Sequence, residues 1–330
     1  MDWVVILTNA LREAVGPQAA WFCLMAIGLN VHYGYTGMLN FGQIGFAMVG
    51  AYGLAISVAT FGWPLWVGVL VALAASSVLA LILGLPTLRL RGDYFAIVTI
   101  AAAEIIRLVF ASNVSTDLTG GPFGLSGIAS SFYALNPFSP GRYTLWGNWS
   151  YLHGQLWSGV ATWALVALAT WYVYLLMRSP WGRVIKGIRE DEDAVRSLGK
   201  NAFGYKMQSL MIGGAIGALG GVMLALQQSQ VTPLSFRPQQ TFFAYAIVIL
   251  GGAATTFGPV VGSMIFWFLF TGLTSLLGQL ASQGLVPTFI ATQDRIGALV
   301  LAVVGLVLML LMIFRPQGIF GSKQELILDV

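Results

Sequence analysis

The sequence predicts an all-α, polytopic integral membrane protein with about nine transmembrane helices. Three observations support this fold class. Hydrophobic residues make up 57% of the 330 residues, and the mean hydropathy is +0.81. Charged residues make up 8%, whereas soluble domains carry roughly 25%. The apolar residues also fall into runs near the ~20 residues that a helix needs to cross a bilayer. We therefore expect a single transmembrane domain over residues 1–330.

The predicted spans follow a short amphipathic lead-in, residues 1–17, which ends at Gly16-Pro17. Their approximate bounds are 18–35, 38–60, 63–85, 94–111, 156–177, 207–229, 240–257, 259–281 and 293–314. A segment of about 112–155, rich in Gly, Pro, Asn, Ser and aromatic residues, separates the fourth and fifth spans. This composition is typical of a loop, here expected outside the cell with short helices of its own.

A second polar segment, about 178–206, is unusually dense in charge and lies between two apolar runs. It holds 11 of the charged residues of the chain, so it must lie outside the membrane. Ser179-Pro180 predicts the start of a helix with Ser179 as its N-cap, and Val184, Ile185 and Ile188 give that helix an apolar face. We interpret this face as a docking surface.

A second short helix is predicted within the same segment. Asp191 is a suitable N-cap, and Glu192 and Asp193 suit the positive end of a helix. Gly199 is expected to end the helix.

Basic residues set the predicted orientation. With the 178–206 segment in the cytoplasm, Arg89, Arg91, Arg315 and Lys323 also fall inside. The 112–155 loop contains Arg142 as its only Lys or Arg residue. This agrees with the positive-inside rule. We expect a multi-pass protein of the bacterial cytoplasmic (inner) membrane, with its N-terminus outside and its C-terminus in the cytoplasm.

The remaining composition argues against several kinds of site. Cys23 is the single cysteine, and His32 and His153 are far apart in sequence, so we expect no disulfide framework and no metal site. The sequence pI of about 9.3 reflects basic cytoplasmic loops rather than nucleic-acid binding. Membrane lipid is the expected surrounding.

Polar residues inside the apolar runs are candidates for the substrate path. Glu104 and Arg107 lie three residues apart on one helix face and either line an aqueous path or form a structural ion pair. His32 is expected to be hydrogen-bonded near the membrane interface. The other candidates are Thr36, Asn40, Gln43, Gly251 and Gly252. The Gly-rich stretches 33–53 and 250–264 are candidate half-repeats of the kind from which transporters build substrate sites with paired broken helices, and a role of the same glycines in close helix packing does not exclude this. For Thr36, Asn40 and Gln43, hydrogen bonding between helices is an equally good explanation.

The stretch GRVIKGIREDEDAVRSLGKNAFGYK (182–206) resembles the cytoplasmic loop of the branched-chain amino acid (LivM-type) permeases of ABC importers. The blocks at 28–52, 91–107, 118–128, 249–264 and 314–321 are similar to further blocks of this family, in the same order. In these permeases an acidic-Ala-Ala motif followed by Gly forms a coupling helix that docks on the ATPase. Asp193, Ala194 and Gly199 match that motif, and Val195 replaces its second Ala.

The resemblance implies how the chain functions and with which partners. The implied ATPase-docking residues are Ile188, Arg189, Glu190, Asp191, Glu192, Asp193, Ala194, Val195, Leu198 and Gly199. The implied partners are a second permease subunit (a shorter relative), two ABC ATPases, and a periplasmic or lipid-anchored substrate-binding protein. The chain lacks a GxxxxGK[ST] motif. ATP and Mg²⁺ are therefore expected in the partner ATPases, with no cofactor on this chain and no enzymatic activity of its own.

Alternative functions remain open at the level of sequence. Urea and short-amide importers use similar permeases, so a urea/short-chain amide permease is the alternative to a branched-chain amino acid permease. An ion-coupled secondary transporter would need acidic groups deep in the spans, where only Glu104 qualifies. An intramembrane enzyme would need a nucleophile and base, or a metal cluster, at membrane depth, and the sequence offers neither arrangement.

Overall fold

Helices make up most of the chain in the computed structural model, which describes residues 2–88, 92–146, 149–283, 293–314 and 317–321. In chain order the helices are α1 (Trp3–Ala14), α2 (Pro17–Asn30), α3 (Gln43–Ala55), α4 (Leu65–Thr87), α5 (Gly92–Phe110), α6 (Thr116–Thr119), α7 (Ser130–Ala134), α8 (His153–Arg178), α9 (Pro180–Glu190), α10 (Glu192–Ser197), α11 (Ala202–Gln228), α12 (Gln239–Gly251), α13 (Gly258–Ser282) and α14 (Gln293–Phe314). The predicted all-α membrane class is confirmed.

Each of the nine predicted spans overlaps one long helix, but length and composition support fewer crossings. Within the described residues, five helices are long and apolar enough to cross a membrane, or up to seven if two bent helix pairs count as one span each. Two further apolar helices, Gln239–Gly251 and Arg295–Leu306, fall short of the ~20 residues of a full crossing. The count of nine therefore stays a prediction.

The first helices begin at residues that the sequence makes suitable for a helix start. Pro17 occupies the first turn of α2, where its missing N–H removes no helical hydrogen bond. Both α2 and α3 continue into π-helical turns, Val31–Tyr35 and Ile56–Thr60. Asp2 caps α1, because its carboxylate accepts hydrogen bonds from the N–H groups of Val4 and Val5.

The predicted 112–155 loop contains short strands as well as short helices. Strand β1 (Leu125–Ser126) pairs with β4 (Gln230–Val231), and β2 (Arg142–Trp146) pairs with β3 (Trp149–Leu152), both antiparallel. The 3-10 turns are Asn113–Ser115, Gly121–Phe123 and, after β4, Pro233–Phe236. The strands span two to five residues, too few for an alternating pattern to be recognised in the sequence.

Helix α8 connects two ends of the molecule that are used as landmarks below. The loop end carries α9 and α10, and the hairpin end carries β2 and β3. Residue 2 lies at the hairpin side of α13, where the Asp2 N–H donates to Gln279 Oε1 at 3.0 Å. Residues 317–321 lie at the loop end, where the Phe320 N–H donates to the Gly251 carbonyl at 3.1 Å.

Residues 2 and 321 therefore lie at opposite ends of the molecule, and the side of the membrane on which each terminus lies stays a prediction. Four of the basic residues used for the predicted orientation lie outside the described residues. These are Arg89, Arg91, Arg315 and Lys323.

The centre of the bundle is formed by α2, α3 and α11. Helix α2 is apolar on all sides, and its residues 19–30 are all buried, as expected for a helix enclosed by others. Glycines bring the three helices together. A Cβ on Gly28 would collide with the Gly213 backbone, and a Cβ on Gly221 would collide with the Ala47 backbone. The core thus depends on backbone-to-backbone packing of the kind found in membrane bundles.

We predict that Gly221→Ala destabilises the protein by about 1–3 kcal/mol, since the added methyl group forces α11 away from α3. Gly278→Ala is the matched control, because a Cβ there meets no atom of the described residues within 4 Å and alanine favours the helix. The measurement is the thermal unfolding of both purified variants in one detergent. Equal melting temperatures for the two variants would contradict the packing described here.

Candidate functional site

The polar segment 178–206 folds into α9 and α10, which lie across the loop end between α8 and α11. Helix α9 begins at Pro180, as predicted. Ser179 occupies the N-cap position, but its hydroxyl donates to the Leu176 carbonyl at 2.7 Å instead of accepting from the helix. The predicted side-chain cap is therefore wrong.

The apolar face of α9 is turned into the protein. Ile185 and Ile188 are 0% and 4% exposed and belong to the main hydrophobic core, and Val184 is half-buried. Helical spacing predicts this face correctly, but its interpretation as a docking surface is wrong because the chain itself covers it.

Both predicted caps of α10 are present. Asp191 Oδ1 accepts hydrogen bonds from the N–H groups of Asp193 and Ala194, each at 2.9 Å. Gly199 follows the helix with φ +76°, a conformation that glycine adopts at little cost. These caps stabilise a helix of only six residues that would otherwise be too short to persist.

Several predicted docking residues hold α10 and α9 against the bundle. Glu192 forms ion pairs with Arg196 at 2.6 Å and with Lys206 on α11. Arg189 Nη1 donates to the Gly34 carbonyl at 2.7 Å. Val195 is half-buried and packs near α9.

The remaining predicted docking residues form an outward surface, which we call the α10 face. It consists of Glu190, Asp193, Ala194, Leu198 and Gly199, all of them exposed. The Leu198 residue is 80% exposed, and the Asp193 side chain is 91% exposed. Asp191 is also exposed, although its carboxylate is occupied in capping. These residues are therefore accessible at the loop end.

A cavity of about 190 Å³ lies between these helices and the bundle. Thr36, Arg189, Glu192 and Lys206 are among its lining residues. Thr36 itself is buried, and its hydroxyl is bonded to the Val31 carbonyl at 2.8 Å and to Ser209 Oγ at 2.7 Å.

The substrate-path candidates Asn40 and Gln43 belong to a closed, buried network. The Asn40 Nδ2 group bonds to His32 Nδ1 at 3.0 Å and donates to Gln43 Oε1 at 3.3 Å. His32 Nε2 donates to the Leu210 carbonyl at 3.2 Å, and Gln43 Nε2 donates to the Gly213 carbonyl at 3.2 Å. His32 is hydrogen-bonded as predicted and fully buried in the protein, and its ring is neutral with the hydrogen on Nε2. This network joins α2, α3 and α11 and leaves no free group for a solute.

The candidate Glu104 is paired with Arg107 on α5. Arg107 Nε donates to Glu104 Oε2 at 2.8 Å, so the predicted neighbours on one helix face do meet. The Glu104 side chain is 36% exposed and that of Arg107 is 16% exposed. The pair lies at the surface of the isolated chain.

Gly251 and Gly252 lie where the helical structure is interrupted between α12 and α13. A Cβ on Gly251 would collide with Gly258, and Gly252 adopts φ +108°. The break contacts the end of α2, because Asn30 Oδ1 accepts from the Ala254 N–H and Asn30 Nδ2 donates to the Thr255 carbonyl, both at 2.9 Å. The two glycines therefore serve a tight turn and close packing.

Comparison with known proteins identifies the family. The profile of the branched-chain amino acid transport system permease component matches residues 14–314. The chain belongs to this permease family. Among curated relatives, the high-affinity branched-chain amino acid transport system permease protein LivM of Salmonella typhimurium is 32% identical, over 90% of this chain and 67% of its own length.

More distant relatives differ in what their names say they transport. The probable branched-chain amino acid transport permease protein LivM of Methanocaldococcus jannaschii is 27% identical over 74% of this chain and 77% of its own. The guanosine ABC transporter permease protein NupQ of Bacillus subtilis is 26% identical over 80% of this chain and 86% of its own. PsaBC from Streptococcus pneumoniae in complex with Fab aligns with 97% of this chain and 93% of that chain at 13% identity and a TM-score of 0.41, a likeness too weak to carry an argument.

In this permease, sequence analysis missed the partners that hold the loop end together. Asn30 and Gly34 are more than 100 residues from the groups they bond, and Lys206 bonds Glu192 across 14 residues of the same charged segment. A polar Asn30 inside an apolar run was the one available signal, because buried polar groups in membrane helices need partners.

We predict that Asn40→Ala lowers the stability of the permease by about 1–3 kcal/mol, because His32 Nδ1 and Gln43 Oε1 each lose their donor. Asn113→Ala, at an exposed position in the 112–155 loop, is the control. Thermal unfolding of both variants in detergent tests this. An Asn40→Ala variant as stable as the control would show that the network is not structural.

Proposed function

We propose that this permease is the membrane-spanning subunit of an ABC importer that carries branched-chain amino acids into the cell. The observation that carries the proposal is the family match over residues 14–314, together with relatives named for branched-chain amino acid transport. The permease does not hydrolyse ATP itself. ATP and Mg²⁺ are bound by separate subunits.

The proposed complex contains a second permease subunit, which is a shorter relative, two ABC ATPases and a substrate-binding protein. The α10 face is the part that inserts into an ATPase cleft. Its support is the exposure of Leu198 and Asp193 on a helix that is firmly held from behind. A docking element has to be both exposed and rigid to transmit force.

Two contacts give that force a route into the bundle. The Glu192–Lys206 ion pair leads from α10 to α11, and the Arg189–Gly34 hydrogen bond leads from α9 to the π-helical turn after α2. Since α2 and α11 form the core, motion of α10 reaches the helices that would rearrange in alternating access.

The loop end is assigned to the cytoplasm of a bacterial inner membrane. Its support is the concentration of 11 charged residues within 178–206. The N-terminus is then outside, the C-terminus inside, and the 112–155 loop faces the binding protein.

The other functions considered above have weaker support. An ion-coupled transporter needs a carboxylate free to exchange its ion, whereas Glu104 is held by Arg107. A nucleoside importer is the second candidate, because the relatives include guanosine and nucleoside permeases. These are less similar to this chain than the LivM relative of Salmonella typhimurium.

The substrate is tested by purification of the native complex and reconstitution with its binding protein. We expect two ATPases and a second permease to copurify, and ATP-dependent uptake of leucine that isoleucine and valine compete. If guanosine alone competed for uptake, the substrate class would be nucleosides. If urea alone competed, the substrate class would be urea and short amides. Uptake driven by an ion gradient without ATP would overturn the importer assignment.

For the α10 face, we predict that Ala194→Asp reduces transport at least tenfold and releases the ATPase, because it adds a charge to the centre of the docking surface. Membrane insertion and melting temperature should be unchanged, since Ala194 is exposed. Ala134→Asp adds the same side chain to an exposed alanine in the 112–155 loop and is the control for ATPase copurification. If the ATPase copurified normally with the Ala194→Asp variant, the docking assignment would be wrong.

A further inference from the structure

A charged pair lies at a break in the first apolar segment. Arg12 and Glu13 occupy the last turn of α1, and the chain bends by 43° at Gly16-Pro17 before α2 continues. Ionisable residues beside a broken membrane helix are expensive unless they bind something or meet water. This pair was not among the site residues predicted from the sequence.

The pair lines a cavity of about 240 Å³ at the hairpin end. This volume is below the ~300–1,000 Å³ of pockets for drug-sized ligands, so it suits a small solute. Tyr133, Gln18 and Leu224 also line it, and give it both polar and apolar walls.

Hydrogen bonds fix the backbone around the cavity. Tyr151 Oη donates to the Arg12 carbonyl at 2.5 Å, and Trp163 Nε1 donates to the Val15 carbonyl at 2.8 Å. Gln227 Nε2 donates to the Pro17 carbonyl at 3.2 Å. The walls are thus preorganised, a feature that lowers the cost of binding.

The charged groups are held far less firmly than the backbone. Arg12 donates to Glu13 Oε1 from Nη2 at 3.1 Å and from Nε at 3.3 Å, both to the same oxygen, and the two side chains are 37% and 29% exposed. Adjacent residues on a helix do not face each other, and partly exposed pairs contribute little stability. A ligand that carries both charges can therefore replace this pair with two separate ones.

We propose that this cavity binds the zwitterionic head of an α-amino acid, as the outward-facing substrate site of the permease. The carboxylate pairs with Arg12 beside the start of α2, which no side chain caps and whose positive end favours an anion. The ammonium pairs with Glu13. The aliphatic side chain lies against Leu224 and the Tyr133 ring. This inference rests on the proposed function and specifies its substrate site.

The same chemistry discriminates between the candidate substrates. Urea and nucleosides have neither a carboxylate nor an ammonium group, so they would leave Arg12 and Glu13 paired with each other. A zwitterion satisfies both charges, and charge-assisted hydrogen bonds are the strong ones.

The test is calorimetric titration of the purified complete complex, without binding protein, with L-leucine, leucinamide and 4-methylpentanoate. Leucinamide lacks the carboxylate, and 4-methylpentanoate lacks the ammonium group. We expect leucine to bind, and we expect each analogue to bind at least tenfold more weakly because it loses one charge-assisted hydrogen bond. Glu13→Gln and Arg12→Gln should each weaken leucine binding by the same factor.

Matched controls remove one negative and one positive charge from the 112–155 loop, away from α1. Asp117→Asn and Arg142→Gln are exposed, do not line the cavity, and should leave leucine binding unchanged. All variants are first checked for intact copurification of the complex, and Arg12→Lys, which keeps the charge, should retain most of the affinity.

The outcomes separate this inference from the proposed function. ATP-dependent leucine uptake by the wild-type complex, with unaltered leucine binding in Glu13→Gln and Arg12→Gln, would overturn the cavity assignment and leave the function standing. Failure of the wild-type complex to transport any branched-chain amino acid would overturn both, whereas transport without measurable leucine binding would overturn the cavity assignment alone.

Discussion

The need to pair every backbone N–H and C=O group inside a membrane governs this structure. The chain breaks its helices at 36–42 and at 252–257, and side chains from other parts of the chain satisfy the exposed backbone. Thr99 Oγ1 accepts from the Phe41 N–H at 3.1 Å, and Thr241 Oγ1 accepts from the Ile44 N–H at 3.1 Å. Asn30 bonds directly to the second break. At these two breaks, buried polar side chains therefore take the place of water.

The same constraint explains why the loop end is rigid. The π-helical turn after α2 leaves the Gly34 carbonyl available, and Arg189 bonds to it from α9. Glu192 ties α10 to Lys206 on α11. The loop is consequently anchored on two of the three core helices, while the opposite surface of α10 stays exposed. An element of this kind can pass a displacement into the bundle without unfolding first.

Local chemistry was predictable from sequence, whereas the partner of each surface was not. Asp191 caps the start of α10 and Gly199 follows its last turn, both as predicted, because helix caps depend on residues within one turn. Ile188 was assigned to a docking surface because periodicity defines an apolar face but not what covers it. Asn40 and Gln43 were candidate ligands because nothing in their neighbourhood reveals His32 or Gly213 as partners. The substrate path itself stays a prediction, because the walls of a path come from distant parts of the chain.

Helix α2 links the two regions that we assign to function. Its first turn borders the cavity at Arg12 and Glu13, and its π-helical turn meets Arg189 at the loop end. Because residues 19–30 are buried throughout, α2 has no room to move independently of α3 and α11. A change that releases the Arg189–Gly34 contact would then be shared by the helices that wall the hairpin-end cavity, including the end of α11 at Gln227. In our proposals, this one closely packed helix is the common mechanical element between substrate binding at the hairpin end and movement of α10.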